Sequence, residues 1–413
     1  MALGLGLWVC AVCPARAQTT APAASGSDWP HWRGPNHDGV YRGGDWDPNW
    51  PGAGPKRLWT RRVGLGFSSM SVAGGRLYTM GWRDGKDTVW CLDANTGKEL
   101  WRHSYAAGRW NIEHQGGTAS TPTVHDGKVY SLSRDGHLFC LRAGSGKVVW
   151  SRHIRKEFKV PPRPSVPQRD YGYSGSPLVR GKLLIVEVGG VKASTVAFNK
   201  DTGKTVWAVG SEGAGYGSPA PVTVRGTEYV AVLNLFGLVV LRVSDGGVRL
   251  RVKWATPYGN NCATPVVVGQ KVFISSSYEM GCALIDLSGD RAKVAWRNRN
   301  MHSRLATAVY WKGYLYGFDY AVLTCLHFDT GVTQWRDKRY GFGHLIVADG
   351  KLIVQTETGI LAVGDPSPRG FRPTSLAKAL TTRPCWTVPV LARGRIYCRS
   401  GAGELVCLDV RKK

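Results

Sequence analysis

Polar and aromatic residues that can bind ligands recur at one position in the sequence, in the loop before the first predicted strand of successive repeat units. They are Glu113, His114, Asp170, Tyr173, Tyr216, Asn260, His302, Arg304, His344 and Trp386. The glutamate and the three histidines among them belong to residue types that bind metal ions or move protons near neutral pH. The alternative interpretation is that all ten make hydrogen bonds within their loops or pack between units. On this pattern alone we predict a ligand site, but neither a catalytic residue nor a metal.

Several motifs with known chemistry are absent or incomplete. The string GSGK at Gly144–Lys147 resembles a phosphate-binding loop, but Leu141 replaces its first glycine and Val148 replaces its magnesium-binding hydroxyl residue. GAGYGS at Gly213–Ser218 precedes no predicted helix, which argues against a dinucleotide loop. The sequence contains no GxSxG elbow, no HExxH zinc motif and no CxxCH haem motif. Asn260 and Asn261 offer oxygen ligands, although asparagines in loops more often satisfy turn hydrogen bonds.

The elements that must position these residues are repeated strands. The string CLDANTGKELW at Cys91–Trp101 returns as CLRAGSGKVVW at Cys140–Trp150, and similar strings end at Trp207, Trp254, Trp296 and Trp335. The intervals of 39 to 57 residues are typical of propeller blades. Asp-Gly pairs between apolar runs predict hairpins within each unit. Four antiparallel strands per unit, repeated around an axis, predict a β-propeller.

The two ends of the repeat region predict how the ring closes. The last unit, Cys385–Lys413, stops after its third strand, whereas the segment Pro55–Arg62 carries Trp59 with no hairpin before it. We therefore predict that residues 55–62 supply the fourth strand of the last blade, which would leave no open sheet edge. This count gives an all-β propeller of eight blades. Seven blades is the alternative, if residues 342–380 were an insertion.

The N-terminal residues resemble an export signal. Ala2–Val12 is apolar and is followed by Ala15-Arg16-Ala17, a small-x-small cleavage pattern. We predict a signal peptide at residues 1–17, an extended strap at 18–54 and the propeller at 55–413. No other stretch approaches the roughly 18 apolar residues of a transmembrane helix. The predicted location is the periplasm or the exterior of a bacterial cell.

The composition predicts the kind of partner. A net charge of +25 at pH 7 favours envelope proteins, anionic envelope polymers or peripheral contact with a membrane. The alternative is that the charge reflects a genome-wide preference for arginine, spread over a soluble surface. Basic residues are scattered rather than gathered in one arm, so we predict no nucleic-acid binding. The cysteines after the leader are predicted to be free thiols, and the chain to be a monomer.

The repeated string carries a resemblance to a known family. LDANTGKELW resembles the tryptophan-docking repeat of pyrroloquinoline-quinone (PQQ) propellers, most closely the BamB-like branch that is not a dehydrogenase. DWPHWRGPNHDGVY at Asp28–Tyr41 is similar to the lead-in segment of PQQ-like proteins common in planctomycete-type bacteria. The resemblance implies that the terminal tryptophans stack on the neighbouring blade, namely Trp59, Trp101, Trp150, Trp207, Trp254, Trp296 and Trp335.

Two groups of catalytic residues are missing from the sequence, and their absence determines the predicted function. The sequence has no adjacent cysteine pair, and no aspartate–glutamate–asparagine calcium set of the PQQ dehydrogenases can be aligned. We therefore expect an exported, non-enzymatic interaction scaffold at the cell envelope, without a cofactor. One alternative is a PQQ-dependent oxidoreductase using PQQ and calcium. The other is a binder of envelope glycans or small ligands at the channel mouth.

Overall fold

The computed structural model describes Met1 and residues 27–109, 114–161 and 170–412. Its strands form eight sheets, seven of four strands and one of five. The prediction of an all-β, eight-bladed propeller is confirmed, and residues 342–380 form a blade rather than an insertion. The predicted signal peptide beyond Met1 lies outside the described residues, as do residues 18–26 of the predicted strap.

The strands follow the chain in blade order. Before the first blade come β1 (Val40–Tyr41) and β2 (Lys56–Arg62). Blade 1 has β3 (Ser71–Ala73), β4 (Arg76–Arg83), β5 (Lys86–Asp93) and β6 (Glu99–Ala106). Blade 2 has β7 (Thr123–His125), β8 (Lys128–Leu132), β9 (His137–Arg142) and β10 (Val148–His153), followed by α1 (Ile154–Glu157). Blade 3 has β11 (Leu178–Arg180), β12 (Leu183–Gly190), β13 (Ala193–Asn199) and β14 (Thr205–Val209).

The remaining blades repeat this plan. Blade 4 has β15 (Ala220–Val224), β16 (Thr227–Leu233), β17 (Gly237–Arg242) and β18 (Val248–Lys253). Blade 5 has β19 (Val266–Val268), β20 (Lys271–Ser276), β21 (Gly281–Asp286) and β22 (Lys293–Asn298). Blade 6 has β23 (Val309–Trp311), β24 (Tyr314–Asp319), β25 (Val322–His327) and β26 (Thr333–Asp337), then a 3-10 turn at Lys338–Tyr340. Blade 7 has β27 (Gly343–Ala348), β28 (Lys351–Thr356), β29 (Ile360–Gly364) and β30 (Pro373–Lys378). Blade 8 has β31 (Val390–Ala392), β32 (Arg395–Arg399) and β33 (Glu404–Asp409).

Ring closure occurs in blade 8, as predicted. Strand β2 pairs antiparallel with β33, and Trp59 lies opposite Cys407. Arg399 adds a second link, because its Nη1 donates to the carbonyl of Ser68 at 2.8 Å and to Thr79 Oγ1 at 2.9 Å in blade 1. Burial of this guanidinium lowers its pKa to about 9. The first and last segments of the chain are thereby joined by both backbone and side-chain hydrogen bonds.

The outer strands of six blades carry a tryptophan that clasps the next blade. Trp150 lies against Gly203 in the turn between β13 and β14, and its Nε1 donates to the Lys200 carbonyl at 3.0 Å. A Cβ on Gly203 would lie 2.8 Å from the indole, so the contact requires glycine. A donation to a carbonyl of the next blade is also made by Trp59, Trp101, Trp207, Trp296 and Trp335.

Trp254 does not share the clasp geometry expected for it. Leu250 occupies the clasp position of blade 4, opposite Val240, four residues after the turn glycine Gly246. Trp254 comes after the end of β18, where its Nε1 donates to Ser276 Oγ at 3.1 Å and its ring lies 4.5 Å from the Arg297 guanidinium. It therefore also contacts blade 5, but from a different place. The cause is a longer spacing from the turn glycine than in the other repeats.

Seven of the eight described cysteines are buried, and the eighth, Cys262, lines the cavity at the end of the channel. Four of them face clasp tryptophans across the sheet, namely Cys91, Cys140, Cys325 and Cys407. All eight cysteines of the described residues are free, as predicted. Burial raises the pKa of Cys140 to about 11, so this thiol is protonated and unreactive near neutral pH.

The N-terminal segment runs from blade to blade along the inner strands. Trp29 forms an antiparallel bridge with Val72 of β3, and the Pro30 carbonyl accepts from the amide of Val124 in β7. Further along, the Arg33 guanidinium donates to the Ala308 carbonyl next to blade 6 at 3.0 Å. Strand β1 then pairs in parallel with β27 of blade 7. Residues 29–41 thus contact blades on opposite sides of the ring.

Candidate functional site

The loops before the inner strands surround a cavity of about 220 Å³, which we call the channel-mouth cavity. All eight blades contribute lining residues, and the N-terminal segment adds Trp32. Its Nε1 donates to Thr264 Oγ1 at 2.9 Å, which fixes the indole against blade 5. The cavity is therefore built from short loops on a rigid ring, a common arrangement for ligand sites.

Five ring side chains from successive blades form an aromatic arc along this cavity. The Trp386 and Phe67 rings are stacked at 5.4 Å, and His114 meets Phe67 edge-on at 5.2 Å. His114 in turn stacks on Tyr171 at 5.6 Å, and Tyr171 meets Tyr216 at 5.8 Å. Flat, polarizable surfaces of this kind favour a planar ligand with delocalised electrons.

A ring of hydroxyl groups holds the loops together. In each of five links a backbone N–H donates to a serine or threonine of the next blade at 2.9–3.1 Å, joining Ser69, Thr121, Ser176, Ser218, Thr264 and Thr307 in order. Because the hydroxyls from Thr121 to Thr307 each accept from the preceding blade, the loops of blades 1 to 6 keep a fixed spacing. Ser176, Ser218 and Thr264 also line the cavity.

The cavity carries positive charge without a carboxylate in its described lining. Arg134 and Arg304 line it, and no aspartate or glutamate of the described residues does. The buried Arg134 donates to the Tyr171 carbonyl at 2.8 Å and to the Gly117 carbonyl at 3.3 Å. Burial lowers the pKa of Arg134, although its ordinary value is so high that the group stays charged. The arrangement therefore favours an anionic ligand.

Two lining residues have a buried polar atom with no hydrogen-bond partner among the described residues. These atoms are Nδ1 of His344 and Oδ1 of Asn260. Burial lowers the pKa of His344 to about 4, so its imidazole is neutral near pH 7. The Asn260 amide instead donates from Nδ2 to the Tyr278 hydroxyl at 3.0 Å. Such orphaned buried groups usually pair with water or a ligand.

The structure separates the predicted site residues into two sets. Those that line the cavity are His114, Tyr216, Asn260, Arg304, His344 and Trp386. Asp170 instead makes an ion pair with Arg155 at 2.5 Å, and the Tyr173 hydroxyl donates to the Val188 carbonyl at 2.8 Å. The Nδ1 of His302 lies 2.7 Å from Asp319. Glu113 lies outside the described residues. Asp170, Tyr173 and His302 do not line the cavity because local partners hold their side chains elsewhere.

Sequence reasoning missed several lining residues. The hydroxyl ring had a usable signal, since a serine or threonine precedes proline in four units, at Thr121, Ser176, Ser218 and Thr264. Arg134 lies in the turn between β8 and β9, and nothing in its sequence neighbourhood places it at the channel mouth. Trp32 lies far from its contact Thr264 in sequence, so only the fold brings the two together.

Comparison with known sequences identifies the family. A family model described as "Outer membrane protein assembly factor BamB" matches residues 85–337, more than half of the chain. The chain belongs to this family of PQQ-like propellers.

Curated relatives of this PQQ-like chain are dehydrogenases. It is 32% identical to quinohemoprotein alcohol dehydrogenase ADH IIB of Pseudomonas putida over 144 residues, which is 32% of this chain and 18% of that protein. It is 38% identical over 124 residues to the dehydrogenase subunit of the quinone alcohol dehydrogenase of Gluconobacter oxydans, covering 28% and 16% of the two chains. The matches thus span only about a fifth of these longer relatives.

Solved structures share the fold. The quinohemoprotein alcohol dehydrogenase of Comamonas testosteroni matches with a TM-score of 0.67 at 14% identity, over 95% of this chain and 82% of that one. A europium-containing methanol dehydrogenase matches with a TM-score of 0.64 at 10% identity, over 93% and 89% of the two chains. At these identities the likeness establishes the propeller architecture alone.

These relatives correct two expectations. The expectation of a non-enzymatic scaffold is wrong, because the curated relatives are quinohemoprotein and quinoprotein alcohol dehydrogenases. The expectation of no cofactor is wrong for the same reason, since these proteins are named for a quinone. Both expectations relied on a missing cysteine pair and calcium set. The arginine and ring side chains that line the cavity are dispersed over separate loops, where no short motif reveals them.

Proposed function

We propose that the protein is a quinone-dependent oxidoreductase that binds PQQ in the channel-mouth cavity. The observation that carries this proposal is the aromatic arc beside two arginines, in a described lining without carboxylates. PQQ is a flat, fused-ring quinone that bears carboxylates, so ring surfaces and guanidinium groups together match both parts of the molecule. The 32% identity to a quinohemoprotein alcohol dehydrogenase over part of the chain supports the same assignment.

The residues present fit the quinone. Trp386 and Trp32 offer indole surfaces for its ring system, while Arg304 offers donors for its carboxylates and the buried Arg134 adds positive charge. The orphaned Oδ1 of Asn260 and Nδ1 of His344 are further hydrogen-bonding groups within the cavity. When bound, an ortho-quinone of this class supplies a two-electron acceptor for the oxidation of an alcohol.

The chain's own groups orient the ligand and handle protons. His114 Nδ1 accepts from the Gly116 amide at 3.0 Å, which places the proton of the neutral ring on Nε2 as a donor. His344 is neutral near pH 7 because burial lowers its pKa to about 4, so its imidazole can accept a hydrogen bond at Nδ1. The loops of blades 1 to 6 stay fixed through the hydroxyl ring.

A titration of the purified chain with PQQ tests this proposal. We expect saturable quenching of tryptophan fluorescence, a shifted quinone absorbance, and reduction of an electron-accepting dye when alcohols are added. Trp386→Ala should weaken the binding, whereas Trp311→Ala on strand β23 of blade 6 should not, because Trp311 lies outside the cavity lining. Absence of any PQQ binding with and without added calcium would refute the assignment.

We also infer export to the bacterial envelope. The apolar segment Ala2–Val12 with its small-x-small cleavage pattern supports this location, and so does the family description, which refers to the outer membrane. Among the described residues no helix is long and apolar enough to cross a membrane. Cell fractionation with N-terminal sequencing of the mature chain tests the inference. A chain that stays in the cytoplasm with its N-terminus intact would contradict it.

A further inference from the structure

The charges at the channel mouth differ from those of a divalent-cation site. Calcium takes six to eight oxygen ligands, with carboxylates prominent among them. Within the described residues no group of three or more histidine, cysteine, aspartate or glutamate side chains is placed to hold a metal. The described cavity lining contributes arginine and histidine side chains instead.

Three acidic residues of the described part of the chain that lie close to the mouth already have partners. Asp319 pairs with His302 and with Arg336, and Asp170 pairs with Arg155. Glu357 accepts from the Trp386 indole at 3.3 Å. Asn261 offered an oxygen ligand in the sequence. In the structure its Oδ1 accepts from the Ser276 hydroxyl, and its Nδ2 donates to two backbone carbonyls. The oxygen atoms of these side chains therefore already form ion pairs or hydrogen bonds within the protein.

The two arginines of the lining differ in how far their donors are already used. Arg304 makes no ion pair with the described residues, and its guanidinium lies 5.6 Å from the centre of the Phe342 ring. Arg134 is held in place by its donations to the Tyr171 and Gly117 carbonyls. A guanidinium presents paired donors that match the two oxygens of a carboxylate.

We propose that Arg304 binds a carboxylate of the quinone directly, so that no divalent cation is needed to hold it. This inference rests on the proposed function, because it concerns how the same cavity binds PQQ. It assigns to the positive side chains of the lining the charge compensation that a bound cation would otherwise provide. The ligand class at this site is consequently a planar aromatic polycarboxylate.

Calorimetric and fluorescence titrations of PQQ into the full chain, in EDTA and in calcium, test the proposal. We expect equal dissociation constants within about two-fold in the two buffers. Binding only in calcium would overturn the cation-free mode while leaving the proposed function intact. Absence of binding in both buffers would overturn the proposed function itself, and this inference with it.

Two matched comparisons test whether Arg304 binds a carboxylate of PQQ. Arg304→Gln should weaken binding by about ten-fold or more, as expected for loss of a charge-assisted hydrogen bond. Arg299→Gln, the same change at a side chain that is 72% exposed and outside the lining, should have no effect. The methyl ester of PQQ, with its carboxylates neutral, should bind the unaltered chain more weakly. An unchanged affinity for the ester, or for Arg304→Gln, would refute direct carboxylate binding.

Discussion

The outer rim and the channel mouth of this propeller are built from the same repeat but use it differently. At the rim, six blades present a tryptophan to the next blade in nearly the same way. At the mouth, equivalent loops present residues as different as Trp386, Phe67, His114 and Arg304, although some blades still contribute alike. The rim therefore stabilises the ring, while the mouth gives it an individual binding site. Changes at the rim should affect stability, and changes at the mouth should affect ligand binding.

The largest expected effect is at the rim. Trp150→Ala removes a nearly buried indole that donates to the Lys200 carbonyl, and we expect it to lower the free energy of unfolding by about 3–5 kcal/mol. Leu250→Ala, at the clasp position of blade 4, should cost less because its side chain is smaller and only half-buried. Urea unfolding measures both. Equal losses would contradict the idea that the tryptophan clasp is the main rim contact.

The next effect concerns the pH dependence of stability and involves the mouth. Burial holds the pKa of His344 at about 4, below its ordinary value of 6.5. A depressed pKa means that this contribution to stability is complete above about pH 6.5 and is lost as the pH falls toward 4, by up to about 3 kcal/mol. His344→Gln should flatten that part of the pH profile in unfolding experiments. An unaltered slope would show that His344 is not the group responsible.

A smaller effect is expected at Gly203, the turn glycine that the clasp tryptophan Trp150 contacts. Gly203→Ala places a methyl group 2.8 Å from Trp150 at a residue with positive φ, and should destabilise by about 2–3 kcal/mol. Gly226→Ala is its matched control, since Gly226 also has positive φ but nothing within 4 Å of an added Cβ. The difference between the two melting temperatures isolates the indole contact. Similar losses would assign the whole effect to backbone strain.

The smallest effect in energy separates the two regions most clearly. Trp32→Phe keeps an aromatic ring but removes the hydrogen bond to Thr264, which is worth about 1 kcal/mol. We expect several-fold weaker PQQ binding, because the ring is no longer fixed against the cavity, and a melting temperature within about two degrees of the parent. Calorimetry and thermal denaturation measure the two quantities. A large loss of stability with unchanged affinity would make Trp32 a structural residue.

The fold could be predicted because its determinants are local and repeated. Asp-Gly turns, alternating apolar runs and the orphan Trp59 are each visible in a short window, and together they predicted eight blades and their closure. The prediction for Trp254 was wrong because the repeats were aligned on the tryptophan alone, without regard to its spacing from the turn glycine Gly246. The pairing of a residue with the strand beside it therefore predicts the clasp position better than residue type alone.

The site was harder to predict because its contacts join distant parts of the chain. The loop positions of His114, Tyr216 and Trp386 follow from the blade pattern. Asp170 follows the same pattern, but Arg155, on a helix before its loop, pairs with it outside the cavity. Neither the position of Trp32 nor that of Arg134 at the mouth could be inferred before the ring was assembled. The prediction of no cofactor was wrong for the same reason, because it depended on short sequence motifs rather than on the surface that the assembled ring forms.

The placement of the N-terminal segment has a consequence for folding order. Trp32 lines the cavity, and strand β2, which follows β1 along the chain, pairs with β33 near the other end of the sequence. Long-range pairing of this kind is slow, since almost the entire polypeptide must be available before the two ends can meet. Blades that form first therefore belong to an unfinished ring. A ligand that needs the complete cavity can consequently bind only after the ring has closed.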